Sequence, residues 1–376
     1  MSNIAYHRVV PENNSSAGFT EFDTIDFMLL ADGRKMMKNS IRIEADVEVY
    51  SAGTTRKTPT ADVRVNNMIG AHGFFDSWSC ETQKNGNLQN LTSYGRYMNM
   101  VASSTLDSND LCSGRLLAEL RNPAAEGGGA SIEQVVSYND NAGHNVQTSD
   151  ASFSISPSIC FNRSTADYSF SQNGFIKVSC NLARNSHALY GRDASATVNY
   201  VLKNVVLKFV SVPDDGKQDK MLMQSYVSIK QTVSSTNSHI QARVPSKAVN
   251  AVSISFLTQS HENNDNKIDT YGLEAFEQID EIQYMFNNSM STYVTYSITD
   301  RGDMLKKGLE SIVDSGHNQV SGNKLSGNKG FMVGLAFEEY IDLSNQRYSV
   351  QLQTSNAAIS AAHKIAFLFF HELLSL

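Results

Sequence analysis

The side chains best suited to chemistry are spread along this sequence without a recognisable catalytic or metal-binding motif. The nine histidines are scattered, and no two lie at zinc-ligand spacing on one helix or strand. The four cysteines form no Cys-x-x-Cys pair, which argues against a metal knuckle or a redox pair. His72 and His371 have apolar neighbours, so we expect both to be buried structural histidines. We therefore predict no catalytic residue, no metal, no cofactor and no enzymatic activity.

Local signatures of nucleotide and hydrolytic sites are also missing from the sequence. It has no Gly-x-Ser-x-Gly, His-Glu-x-x-His or Gly-x-x-x-x-Gly-Lys motif. The run 127–129 is all glycine, but no lysine follows to reach a phosphate, so we interpret it as loop. The pairs Asp214-Asp215 and Glu338-Glu339 are predicted to be solvated charges, because no spacing places another carboxylate opposite them. The cysteines are expected to be small buried thiols, at Cys80, Cys112, Cys160 and Cys180.

Two short features are candidates for recognition of a partner. Arg301-Gly302-Asp303 reads as the RGD tripeptide that some viral and adhesive proteins present to integrins. Asp303 is also a natural start for a helix, so the structural explanation is favoured and the adhesive one stays open. The single tryptophan, Trp78, follows Phe74 and Phe75, a grouping more typical of a core than of a sugar-binding platform.

Composition restricts the classes of partner. The chain carries 31 Lys and Arg against 38 Asp and Glu, a net charge of -7, which argues against broad, sequence-independent binding to nucleic acid. The first residues lack the basic and apolar regions of a secretory signal, and no run of 18 apolar residues occurs. We expect a protein that is neither exported by a standard signal nor embedded in a membrane.

Period-two alternation of apolar and polar residues dominates the chain and predicts half-buried antiparallel strands. The clearest case spans residues 40–50, where Ile41, Ile43 and Val47 share one face with Ala45 and Val49. Similar alternation predicts further strands around residues 153–161, 176–182, 198–209, 227–233, 240–244, 252–256, 282–286, 331–337, 348–352 and 365–369.

The alternation breaks at a polar turn that suggests a domain boundary. Proline fixes φ and glycine admits positive φ, and we predict an inter-domain linker at Pro213, Asp214, Asp215 and Gly216. The resulting domains are an N-terminal arm (1–39), a first jelly roll (40–212), a linker (213–222) and a second jelly roll (223–376). The predicted fold class is all-β: two tandem eight-stranded antiparallel jelly-roll sandwiches with a few short helices in loops.

Helix is sparse in this prediction. Residues 303–315 have an acidic start, an apolar face and Gly316 as a terminating residue, so they predict a helix. Residues 88–101 and 109–121 are weaker helix candidates. Residues 122–150 combine Pro123 with glycine, asparagine and serine, and they predict a long exposed loop.

Several segments, in order from Ser40 to the C-terminus, resemble one protein family. They are SIRIEADVEVYSAG, MIGAHGFFDSWSCETQKNG, FSISPSICFNRS, GFIKVSCNLAR, FEQIDEIQYMFNNS, GFMVGLAFEEYIDLSNQRYSVQLQTS and HKIAFLFFHELLSL. The pattern is similar to the double jelly-roll major capsid proteins of icosahedral DNA viruses, those of tailless phages, virophages and polinton-like viruses in particular. The resemblance implies homotrimers that form pseudo-hexagonal capsomers of a virion shell assembled inside the host cell.

The same resemblance implies which partners to expect. Copies of the chain come first, in the trimer and in neighbouring capsomers, and minor capsid proteins, a penton protein or an internal membrane are further partners. Specific binding to nucleic acid is not expected. The alternative is a carbohydrate-binding or adhesive β-sandwich, such as a virion spike module, for which the fold alone would look much the same.

Overall fold

The computed structural model describes residues 3–13, 16–51, 55–56, 63–105, 118–121, 130–131, 150–191, 198–217, 220–233, 237–262, 269–273, 279–286, 296–314, 332–345, 347–354 and 364–376. Antiparallel strands dominate these residues and the helices are few, so the predicted all-β class is confirmed.

Residues 3–213 supply fourteen of the described strands. They are β1 (Ala5–Val9), β2 (Thr24–Leu29), β3 (Arg34–Met36), β4 (Arg42–Ser51), β5 (Thr55–Arg56), β6 (Val63–Val65), β7 (Phe75–Thr82), β8 (Gly86–Leu91), β9 (Ala130–Ser131), β10 (Asp150–Ile155), β11 (Tyr168–Ser169), β12 (Ile176–Leu182), β13 (Tyr190–Gly191) and β14 (Val198–Pro213).

Residues 222–376 supply eight more of the described strands. They are β15 (Leu222–Val233), β16 (Asn237–Arg243), β17 (Val249–Thr258), β18 (Ile279–Phe286), β19 (Tyr296–Ile298), β20 (Met332–Ile341), β21 (Arg347–Thr354) and β22 (Lys364–Ser375). The described α-helices are α1 (Tyr94–Thr105), α2 (Phe170–Asn173), α3 (Asn185–Ala188), α4 (Gln259–Glu262) and α5 (Arg301–Asp314), and 3-10 turns cover Gly70–Phe74 and Cys160–Arg163.

Both halves of the chain are jelly rolls with the same strand order. In the second half, one sheet runs β15-β22-β17-β20 and the other β16-β21-β18-β19. In the first half, the eight principal strands form β1-β14-β4-β10 and β2-β12-β7-β8, since Leu207 and Lys208 of β14 pair with β1 on one side and β4 on the other. Each half thus pairs its first strand with its eighth, its eighth with its third and its third with its sixth.

The smaller strands of the first half extend this framework. β3 pairs with β14 and β11, and β5 extends the edge of β4. β6, β9 and β13 form a separate three-stranded sheet. No described ladder pairs a strand of residues 3–213 with one of residues 222–376, and a single isolated bridge joins Ser164 to Met223.

The predicted N-terminal arm, residues 1–39, is wrong where the structure describes it. β1 and β2 are the first two strands of the first jelly roll, and β3 lies in the same sheet as β1. The alternation was missed because these strands are short and also carry apolar side chains outward: Tyr6 of β1 and Met28 of β2 are exposed. The first jelly roll therefore begins near Ala5 and not at Ser40.

Elsewhere the alternation located many of the strands, but β7 and β8 lie outside the predicted strand ranges. In β4 the predicted inward residues are all buried, and β12 has the bounds that its pattern predicted. The prediction of a strand through residues 159–161 is wrong: β10 ends at Ile155, and Cys160–Arg163 is a 3-10 turn. Pro157 interrupts the strand, and the Asn162 side chain bonds to Ile41 N–H and to Pro157 O instead.

The phase of the alternation changes inside β14 because the strand contains a β-bulge. Val198, Tyr200 and Leu202 are buried, and then Val205 and Leu207 are buried. Lys203 pairs with Asp46 and Val206 with Glu44, so two residues of β14 lie opposite one of β4. Asn204 makes this possible with a φ of 52°, and its amide donates to Asp46 Oδ2 at 2.7 Å.

α5 (Arg301–Asp314) covers the described part of the predicted segment 303–315 but starts earlier, because the Asp300 carboxylate accepts the N–H of Asp303 at 2.9 Å. The predicted end of this helix, at residues 315 and 316, lies outside the described residues. The helix candidate 88–101 is confirmed from Tyr94 onward, because α1 begins there and continues to Thr105, but it is wrong at residues 88–91, which belong to β8. Most of the candidate 109–121 and of the predicted loop 122–150, including the glycines 127–129, lies outside the described residues.

Asn204→Val should destabilise the protein by about 1–3 kcal/mol, because a β-branched side chain at positive φ strains the bulge. Urea unfolding at neutral pH measures this loss. Asn199→Val, in the regular part of the same strand, is the matched control and should cost less than about 0.5 kcal/mol. Equal losses for the two variants would contradict a role for the bulge.

Candidate functional site

The two jelly rolls meet at a buried junction whose centre is β22. Ala366, Leu368 and Phe370 belong to the core of the second jelly roll. Ile365, Phe367 and Phe369, on the opposite face, belong to the core cluster of the first. All six are buried, which explains why the sequence has a continuous apolar run here instead of alternation.

An aromatic cluster joins α1 of the first jelly roll to the second. The ring of Tyr97 stacks on Tyr226 of β15 at a centroid distance of 4.0 Å, and Phe369 lies 5.4 Å from Tyr97 and 5.5 Å from Tyr226. The three side chains are fully buried. Each such pair contributes about 0.5–1.5 kcal/mol beyond the burial of its area.

Polar side chains around this cluster form hydrogen bonds with each other across the junction. Arg163 donates to the hydroxyl of Tyr97 at 2.9 Å and to the Gln224 side-chain oxygen at 2.7 Å. Gln89 donates to the Ser225 hydroxyl at 2.8 Å, and its side-chain oxygen accepts the Cys160 N–H at 2.9 Å. Because both ends of each bridging side chain are bonded, burial of these groups is not penalised.

A loop of the second jelly roll, residues 269–273, inserts into the first. The hydroxyl of Tyr271 donates to Gly73 O at 3.0 Å, and the Asn99 amide donates to Tyr271 O at 2.5 Å. Buried Arg96 donates to the carbonyls of Thr270 and Gly272. Its guanidinium also lies 4.5 Å above the ring of Phe367, a cation–π contact.

Two glycines make room for the Tyr271 ring. A β-carbon at Gly95 would lie 2.6 Å from that ring, and one at Gly73 would lie 3.2 Å from it. At the base of the loop, the Asn66 amide donates to Asp269 at 2.7 Å, while burial raises the pKa of Asp269 to about 6. The loop is therefore positioned by steric fit as well as by hydrogen bonds.

His371 closes the buried polar part of the junction. Its Nε2 shares a hydrogen bond with the Ser253 hydroxyl at 2.9 Å, and Ser253 shares one with Ser311 of α5 at 2.7 Å. Burial, followed by the nearby charge of Arg163, lowers the pKa of His371 to about 3. The imidazole is thus neutral at physiological pH and serves as a structural histidine, as expected.

His72 is also a buried structural histidine. Its Nδ1 shares a hydrogen bond with the hydroxyl of Tyr94 at 2.8 Å, and its Nε2 lies 3.8 Å from the Glu119 carboxylate. Trp78 lies in the core as predicted, with its ring 4.9 Å from that of Phe75. Of the cysteines, Cys80, Cys160 and Cys180 are buried free thiols, and Cys112 lies outside the described residues.

The predicted linker turn is bonded to the first jelly roll through buried Lys35. The Lys35 ammonium contacts Asp215 Oδ1 at 2.5 Å and Asp214 Oδ1 at 3.7 Å, and it donates to Lys217 O at 2.7 Å. Asp214 also accepts from the Ser169 hydroxyl at 2.5 Å. The prediction of a solvated charge is wrong for Asp214, whose side chain is 7% exposed, because these donors replace water.

The electrostatics of this turn follow from the same contacts. Burial acts to raise the pKa of Asp214, but the hydrogen bonds from Ser169 and from Gly216 N–H, together with Lys35, outweigh it and lower the pKa. The hydrogen bond from Lys35 lowers the pKa of Asp215, which remains exposed. Both carboxylates are therefore ionised at neutral pH and hold Lys35 in place.

The other predicted site residues do not contribute to the junction between the jelly rolls. Arg301, Gly302 and Asp303 form the first turn of α5, with Gly302 exposed. Glu338 and Glu339 are exposed on β20, as predicted for solvated charges. Within the described ranges, no three His, Cys, Asp or Glu side chains form a group that could hold a metal ion. None of the described helices is long and apolar enough to cross a bilayer.

Sequence comparison assigns no family to the chain, because no family model and no curated protein matches it. Solved structures do match over its whole length. The Faustovirus major capsid protein superposes with a TM-score of 0.60 at 8% identity, covering 100% of this chain and 90% of that one. The PBCV-1 virus capsid protein superposes with a TM-score of 0.58 at 9% identity, covering 100% of this chain and 95% of that one. The mavirus major capsid protein superposes with a TM-score of 0.52 at 7% identity, covering 98% of this chain and 88% of that one.

The chain has the double jelly-roll fold of viral major capsid proteins. The resemblance stated from sequence is thereby confirmed at the level of fold. In this double jelly roll, the junction residues were the ones that sequence reasoning missed. The one signal that could have identified them is the unbroken apolar run of β22, which indicates a strand buried on both faces.

Gly95→Ala should destabilise the double jelly roll by about 1–3 kcal/mol, because its methyl group overlaps the Tyr271 ring. Adding Tyr271→Ala removes the overlap, so the double variant should lose less than the two single losses combined. A double-mutant cycle by chemical denaturation measures this coupling, and strictly additive losses would refute the proposed steric fit.

Lowering the pH from 7 to 5 should reduce the free energy of unfolding by about 2 kcal/mol through His371. In the unfolded chain this imidazole is protonated below about pH 6.5, whereas burial in the folded chain lowers its pKa to about 3. His371→Gln should remove this part of the pH dependence, measured by urea unfolding at both pH values. The raised pKa of Asp269 makes the protein more stable as the pH falls, but Asp269 is present in both the unsubstituted protein and the His371→Gln variant, so its contribution cancels in their difference. Exposed His239→Gln is the matched control, and a similar change from that variant would contradict the assignment.

Proposed function

We propose that this protein is a viral major capsid protein whose homotrimers form the pseudo-hexagonal capsomers of an icosahedral shell. The observation that carries the proposal is the pair of jelly rolls with one strand order, fused in a single chain. Solved major capsid proteins with this fold cover nearly the whole chain. Three copies of the chain would supply six similar jelly rolls, enough for a ring with a hexagonal outline.

The junction supports this role physically. Buried aromatic side chains, the inserted loop at Tyr271 and the Arg163 bonds hold the two jelly rolls together before any partner binds. A capsomer subunit needs such pre-organisation, because two mobile domains would lose conformational entropy during assembly, and that loss would weaken association. We infer a structural and not a catalytic function from this arrangement.

We propose the same domain division as the sequence suggested, with the start of the first jelly roll moved to Ala5. Of the predicted linker residues, Pro213 ends β14, and Asp214, Asp215 and Gly216 then begin the linker to β15. In the virion we propose neighbouring capsomers as the main partners, with minor capsid proteins, a penton protein or an internal membrane as further ones. The adhesive role of Arg301-Gly302-Asp303 stays a prediction.

Size-exclusion chromatography with light scattering tests the proposal on the full chain. We expect a particle with three times the mass of one chain, or larger assemblies that electron microscopy shows as hexagonal tiles or shells. A chain that stays monomeric at micromolar concentration under all solution conditions would contradict the proposal. Specific binding of that monomer to a glycan array would favour the adhesive alternative.

A further inference from the structure

The first strand, β1, is attached to the first jelly roll through one half-buried histidine. The imidazole of His7 stacks on the ring of buried Phe209, its direct partner in the ladder with β14, at a centroid distance of 4.4 Å and an interplanar angle of 6°. Its Nε2 lies 2.7 Å from the hydroxyl oxygen of Ser211, a side chain with no exposed surface. His7 therefore joins the middle of β1 to two buried side chains of β14.

A guanidinium group fixes the direction of the hydrogen bond between His7 and Ser211. Arg34 of β3 donates from Nε to the Ser211 hydroxyl oxygen at 2.6 Å and from Nη2 to Ser211 O at 3.1 Å. Because a guanidinium can only donate, the hydroxyl oxygen accepts from Arg34 and keeps its own proton for His7. His7 Nε2 is thus the acceptor, and the imidazole is held in its neutral form with the proton on Nδ1.

Protonation of His7 is incompatible with this arrangement. A proton on Nε2 turns the acceptor into a donor, so the buried O–H of Ser211 would lose the acceptor that it has among the described residues. The imidazolium and the Arg34 guanidinium would also lie on either side of one oxygen atom, each nitrogen within 2.7 Å of it. Burial, followed by the charge of Arg34, accordingly lowers the pKa of His7 below its ordinary value of 6.5.

Charged groups on the surrounding strands do not offset this repulsion. The other charged residues of β1, β2, β3 and β14 lie on the outer face of a sheet or bind a separate group, and they are Arg8, Asp26, Lys35, Lys203 and Lys208. Within these four strands, Arg34 is therefore the charged group that faces His7.

We propose that His7, Ser211 and Arg34 form an acid-sensitive latch, which holds β1 on β14 while His7 is neutral and releases it when His7 is protonated. β1 is the element able to detach, because it has five residues and pairs with β14 alone, whereas β14 also pairs with β3 and β4. The latch belongs to the single chain and does not depend on the proposed capsid function.

The chain just beyond β1 is attached separately, so the release should stay local. The N–H of Glu12 donates to Asp26 O at 2.8 Å, and Phe19 and Leu202 exchange two main-chain hydrogen bonds at 2.8 Å. Detachment of β1 would uncover the edge of β14 and the ring of Phe209 while the rest of the jelly roll stays folded. In a shell of such chains, acid would therefore loosen each copy without unfolding it.

Hydrogen exchange of the full chain at pH 7 and pH 5, read by mass spectrometry, tests the latch. Because the folded-state pKa of His7 is lowered, attachment of β1 is complete above pH 6.5 and weakens as the pH falls below that value. After correction for intrinsic exchange rates, we expect β1 to open more than about threefold more often at pH 5, and at most about thirtyfold, the limit for an ordinary pKa of 6.5. The amides of β4 report global unfolding, including the contribution of His371, and an equal rise in β4 would overturn the local release.

The variant His7→Phe separates protonation from packing, because phenylalanine can stack on Phe209 but cannot take up a proton. Its β1 amides should have the same corrected exchange rate at both pH values. His239→Gln, at an exposed position of β16, is the matched control and should keep the full response to acid. The latch is overturned by an undiminished acid response in His7→Phe, and equally by the lack of any response of β1 in the unsubstituted chain.

Discussion

Burial of one sheet on both faces is the constraint on which the rest of the molecule depends. The sheet β15-β22-β17-β20 closes the core of the second jelly roll with one face. Its other face packs against the first jelly roll at β15 and β22 and against α5 at β17 and β20. Fully burying one large apolar side chain contributes about 1.5–3 kcal/mol. Ile365, Phe367 and Phe369 together thus outweigh the weak, polar contacts that usually join mobile domains. Separated from the first jelly roll, the second would expose the outer face of β15 and β22 to water.

Several strands were predictable because only one of their faces is buried and the other is polar. The inward residues of β4 and β12 follow from alternation alone, because their outward residues are polar. β1 and β2 were missed because their outer faces are not polar: Tyr6 and Met28 place apolar side chains there as well. The bulge in β14 was visible as a change of phase between Leu202 and Val205, but its cause, the positive φ of Asn204, needed the structure.

The junction could not be predicted because its residues are ordinary core residues in sequence and meet partners that lie far along the chain. Tyr97 and Tyr226 are 129 positions apart, and Gly95 is shaped by Tyr271, 176 positions away. Charged Arg96 would be placed at a surface by its type alone. It is buried because the loop at residues 269–273 presents backbone carbonyls to it and Phe367 presents an aromatic face. Only the fold brings these groups together.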